Sequence, residues 1–107
     1  MSFNLPYSFS GYGNFYYGGL NMLETRVAVM SIIVENSDNV EQINSLLHDY
    51  GDYIIGRMGI PYKKKNINII SIAIDAPQDT ISALSGKIGK LDGVSVKTAF
   101  SSVISHE

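Results

Sequence analysis

From Arg26 onward the apolar positions of this chain switch between two periods, and each switch marks an element. Val27–Val34 is a nearly continuous apolar run, which predicts a strand buried on both faces. Glu35–Asn39 is a polar turn in which Asp38, three residues before Glu41, has capping-box spacing. Val40, Ile43, Leu46, Leu47 and Tyr50 then recur at helical positions, with Gly51 as the stop. A second strand is expected over Tyr53–Met58, ending at Pro61 or lying at a sheet edge, because proline cannot donate to a ladder. Lys63–Asn66 reads as a basic loop tip and Asn68–Ile74 as a third strand, again apolar on both sides. Asp75 and Pro77 suit the start of a second helix, which carries Ile81, Leu84, Ile88 and Leu91 as its stripe. Asp92-Gly93 breaks that helix. Val94, Val96, Thr98 and Phe100 alternate with Ser95, Lys97 and Ala99 as a half-buried strand, and Ser101–Glu107 is expected to be a frayed tail.

The predicted order is β-α-β-β-α-β, an α+β chain. In the ferredoxin-like arrangement of that order the first and third strands lie in the middle of a four-stranded antiparallel sheet, with two helices on one face. Those are the two strands that read as apolar on both sides. Alternation assigns Ala28, Met30, Ile32, Val34, Ile70, Ile72 and Ile74 to the helix side. It leaves Val29, Ser31, Ile33, Ile69, Ser71 and Ala73, with Val27, on a face that two helices cannot cover. A patch of that kind exceeds what a monomer usually leaves in water, so these residues are expected to form an oligomer interface.

Residues 1–21 stand apart from this pattern. Phe3, Tyr7, Phe9, Tyr12, Phe15, Tyr16 and Tyr17 alternate irregularly with glycine, serine and asparagine, and no charged residue occurs. We read the segment as an accessory arm or a leader foreign to the domain, with residues 22–107 as the domain proper. Stacking on nucleic acid normally comes with Lys or Arg to hold the backbone, and the arm supplies neither.

Composition narrows the function further. A domain of about 85 residues buries roughly two-thirds of its unfolded surface, a marginal core that contact between subunits would help. A net charge of −2 gives no footprint for nucleic acid. With 0 cysteines the chain has no disulfide and no thiolate metal ligand. No apolar run is long enough to span a bilayer and no basic n-region precedes one, so a cytoplasmic protein is expected. His48 and His106 are too far apart in sequence to suggest a metal site, the carboxylates fall where caps and turns want them, and no nucleophile elbow occurs. No cofactor is expected. Arg57, beside Gly56, Gly59 and Pro61, could grip a carboxylate or phosphate bidentately, or form an ion pair at a subunit edge. The turn holding Asn36 and Ser37 leads into a helix N-terminus that favours anions, although Glu35 and Asp38 oppose them.

Two blocks carry a family resemblance. IIGRMGIPY (Ile54–Tyr62) and DTISALSGKIGKLDGVSVKT (Asp79–Thr98) resemble the iron-only hydrogenase system regulators. RVAVMSIIVENSD and VEQINSLLHDYGD are similar as well, so the likeness runs over Leu23–Thr98 and leaves the arm outside. That family is similar to the ACT-like, ferredoxin-fold group that includes the C-terminal domain of the nickel-responsive repressor. The resemblance implies an oligomeric regulatory module near the iron-only hydrogenase. The repressor's histidine and cysteine ligands and its DNA-binding domain have no counterparts here, so nickel sensing and direct DNA binding are not carried over. ACT domains commonly place ligands at subunit interfaces near the first strand–helix loop. With the residue-level reading this makes Asn36, Ser37, Arg57 and Gly59 the candidate ligand-binding residues. The expected function is regulation by binding a small ligand or a protein. The alternatives are an acylphosphatase-like hydrolase using Arg57, or a purely structural assembly module.

Overall fold

The structure, a computed structural model, describes residues 24–106. Four strands and two helices follow in the expected order: β1 (Glu24–Val34), α1 (Val40–Asp49), β2 (Ile54–Tyr62), β3 (Ile67–Ala76), α2 (Gln78–Gly89) and β4 (Val94–His106). The sheet order is β2-β3-β1-β4 and every pairing is antiparallel. The central strands are therefore the two with apolar residues on both faces.

Alternation along the central strands creates the core. Ala28, Met30, Ile32 and Val34 of β1 stand opposite Ile74, Ile72, Ile70 and Asn68 of β3, and these apolar side chains are buried beneath the helices. α1 contributes Ile43 and Leu47, and α2 contributes Ile81, Leu84 and Ile88, each at the spacing of one helical face. Burying a side chain of this size stabilises the fold by about 1.5–3 kcal/mol.

Local chemistry sets the joints. The expected Asp38 cap does not form. Instead the Asn36 carboxamide oxygen accepts from the Asp38 backbone N–H at 3.0 Å, starting a short 3-10 turn over Ser37–Asn39 that leads into α1. Asparagine can close this turn on the residue two ahead, which puts the cap two positions earlier than the capping-box spacing suggests. Pro77 stands immediately before α2, and its carbonyl accepts from Thr80 and Ile81. At the other end, Gly93 adopts a φ of +73°. The β2–β3 connection is a 3-10 turn over Lys63–Lys65 closed by Asn66 in the left-handed region, which asparagine tolerates better than most residues.

Two strands run further than expected. β2 continues through Pro61 to Tyr62. It is an edge strand, and Pro61 lies opposite Asn68, whose backbone bonds are directed to β1; the missing N–H therefore falls on the outer side of the sheet. The Ser101–Glu107 segment is not simply a frayed tail. After a bulge opposite the Arg26–Ala28 stretch, Ile104, Ser105 and His106 pair with Arg26, Thr25 and Glu24. The β1 extension back to Glu24 supplies the partner that makes this possible. Residues 1–21, the arm of the sequence reading, lie outside the described residues.

Candidate functional site

The helices cover one face of the sheet, and among the described residues the other is left open. On it, Val29 lies between Ala73 and Ala99, Ser31 between Ser71 and Lys97, and Ile33 between Ile69 and Ser95. All six residues expected at an interface thus share one surface. β2 extends it: Met58 stands opposite Ser71, Ile60 opposite Ile69 and Tyr62 opposite Ile67. Val27, Val29, Ile33, Met58, Ile60 and Tyr62 are between 40% and 53% exposed, a contiguous apolar area across three strands. The β2 members were missed in the sequence because Gly56, Gly59 and Pro61 obscure the alternation of Met58, Ile60 and Tyr62. The strand charges that share this face are Asp75 of β3 and Lys97 of β4, of opposite sign.

The four candidate ligand residues fall in two places. Asn36 and Ser37 lie beyond the end of β1, where the α2–β4 turn packs against them. Glu35 donates its N–H to the Gly93 carbonyl at 2.7 Å, and the Asn39 side chain donates to the Asp92 carbonyl. Arg57 and Gly59 lie on β2 at the level of Met30 and Ile32 of β1, two strands away. Arg57 donates through a terminal guanidinium nitrogen to Asn44 Oδ1 of α1 at 2.6 Å, so its side chain braces the helix against the edge strand. The structure does not bring these four residues together in one chain.

A groove of about 380 Å³ runs between α2 and β4, lined by Ile81, Ser82, Ser85 and Gly86 on one side and Val96, Thr98 and Phe100 on the other. At one end the Arg26 guanidinium stacks over the Phe100 ring, 5.5 Å from its centre, and donates to Gln78 Oε1 at 2.7 Å. Within it, Thr98 Oγ1 is buried and has no hydrogen-bond partner among the described residues. The described residues contain no group of three or more His, Asp or Glu that could hold a metal ion. None of their helices is long and apolar enough to cross a membrane.

A four-stranded antiparallel sheet in this order, with two helices on one face, defines an α+β protein of ferredoxin-like, ACT-like fold. The chain belongs to the TM1266-like family, proposed regulators of the iron-only hydrogenase system, whose pattern matches residues 26–98. Its structure is similar to that of the uncharacterized protein TM1266 from Thermotoga maritima, with 38% sequence identity and a TM-score of 0.68 over 71% of this chain and 96% of that one. No curated protein matches the sequence.

Proposed function

We propose that this protein is a non-catalytic, oligomeric regulatory module of the iron-only hydrogenase system that works in the cytoplasm by binding a small ligand or a protein. The observation that carries this reading is the open sheet face, with six half-exposed large apolar side chains and, among the described residues, no helix over them. Its occupant is a second copy of the chain. A two-fold contact is self-complementary, and Asp75 and Lys97, opposite in sign on one face, suit reciprocal placement across such an axis. The family's regulatory description supports a binding role over catalysis. Arg57, at the exposed edge, is the residue proposed to meet a carboxylate or phosphate of an effector.

Native mass spectrometry of the purified chain tests the reading. A discrete oligomer is expected, and a reproducible extra mass on it would identify a bound effector. A monomer at micromolar concentration would overturn the oligomeric module.

A further inference from the structure

The groove between α2 and β4 opens toward the end of the sheet at which the described chain begins. Ala28 of β1 stands opposite Phe100, at the end of the groove marked by the Arg26 guanidinium, and Ile32 stands opposite Val96. Glu24 lies four residues before Ala28, so about 13 Å of strand and one inter-strand step of about 5 Å separate it from that end. Residues 18–23 span up to about 20 Å when extended, enough to cross this distance. A return into the groove needs a reversal of direction, and Gly18-Gly19 in this link suits one, since glycine takes either sign of φ.

The lining matches what precedes the two glycines. A groove of about 380 Å³ is in the size range of pockets that enclose small organic guests. Ile81, Val96 and Phe100 give it apolar walls, with the Phe100 ring still 39% exposed, and Ser82 and Ser85 add hydroxyls. A surface of this kind takes an aromatic ring with a polar tip. Phe15, Tyr16 and Tyr17 are consecutive, and residues 1–23 carry no charged side chain that burial would strip of water. The segment also lies outside the family pattern, which starts at residue 26.

We propose that the aromatic segment Phe15–Tyr17 docks in the α2–β4 groove of its own chain. A tyrosine ring packs against Phe100 and Ile81, with its hydroxyl toward the serines of α2. The link of residues 18–23 holds the segment at an effective concentration on the order of millimolar, so a contact too weak to hold a free peptide suffices. That tether favours the chain's own arm over a neighbour's. The open sheet face takes no part in the contact, so the docking stands or falls apart from the assembly proposed above.

The full chain has 0 cysteines, so a single introduced thiol reports on the groove. Ser82 and Ala83 are neighbouring exposed positions of α2, and of the two only Ser82 lines the groove. Alkylation of the native full chain by iodoacetamide, followed by mass, is expected to be about tenfold slower for Ser82→Cys than for Ala83→Cys. Adding Phe15→Ala, Tyr16→Ala and Tyr17→Ala should bring the two rates within about twofold, with the circular dichroism spectrum unchanged. Refolding Ser82→Cys with the three alanines beside an excess of wild-type chain shows whose arm is docked, and the fast rate is expected to persist. Return of protection in that mixture would overturn docking on the same chain and assign the groove to a neighbour's arm. Equal rates at positions 82 and 83 with the arm intact would overturn the proposal. So would slow alkylation of Ser82→Cys that survives the alanine substitutions.

Discussion

Gly93 and Asn36 meet so closely that a Cβ on the glycine would lie 2.9 Å from the Asn36 Cβ and 3.3 Å from its backbone nitrogen. Gly93 also holds a φ of +73°, so two independent restraints fall on one residue. The contact joins the turn that starts α1 to the turn that starts β4. Gly93→Ala is expected to cost about 1–3 kcal/mol, read as a lower midpoint in urea with an unchanged slope.

Charges on the open face should separate assembly from folding. Val29 is 42% exposed in the single chain, so lysine there needs no change in the core. Val29→Lys is expected to keep the spectrum of the folded chain, shift stability of the separated subunit by no more than about 0.5 kcal/mol, and lower the mass seen by light scattering. Retention of the full mass would show that this face is not an interface.

Arg57 and Asn44 bridge the edge strand and the first helix through one exposed hydrogen bond. A double-mutant cycle with Arg57→Ala and Asn44→Ala should give a coupling below about 1 kcal/mol, as solvent competes for both groups. Loss of a bound effector mass on Arg57→Ala, with stability nearly unchanged, would mark the arginine as a ligand contact. Acyl phosphate should not be hydrolysed by the wild type, and phosphate release abolished by Arg57→Ala would revive the hydrolase reading.

Glu24, at the start of β1, has its carboxyl raised above the usual glutamate range, chiefly by desolvation, with Arg26 acting in the opposite direction. The folded chain therefore holds this proton more tightly than the unfolded one. Stability falls as pH rises from the unfolded pKa through the folded one, and the loss is complete above it. Glu24→Gln should remove that decline, and denaturation midpoints across the acid range measure it. The effect is small because the group is largely solvated.

These properties divide by how local their causes are. The core was legible because Ala28, Met30, Ile32, Ile70, Ile72 and Ile74 alternate on two strands whose predicted places were central, and Ile81, Leu84 and Ile88 recur at helical spacing. The open face was legible from the same alternation on those strands. Its β2 part was not, because the glycines and proline that reset register also hide periodicity. The β4 continuation was hidden for a different reason: a polar Ser-Ser stretch reads as a tail unless a partner strand is known to extend back to Glu24. The proposed ligand residues show the limit most clearly. Spacing placed Asn36 before a helix and Arg57 on a strand, and the expected strand order set β2 two strands from β1, but only the register shows Arg57 level with Met30, well below the end of β1 where Asn36 lies. Likewise, nothing in the order of residues around Thr98 shows that its hydroxyl is buried without a partner among the described residues.

The sheet order also sets a sequence in time. β2 and β3 are neighbours in the chain and can close as a hairpin over the short Lys63–Asn66 link, a fast local event. Among the described strands β1 pairs with β3 and β4, both far downstream. During synthesis it must wait for most of the domain before either side of its ladder can form. Of the two described strands that finish with a partner on both sides, β1 is the first made and among the last paired. Until then Val27–Val34 is an apolar, β-prone segment without neighbours, and it is where misassociation during synthesis would begin.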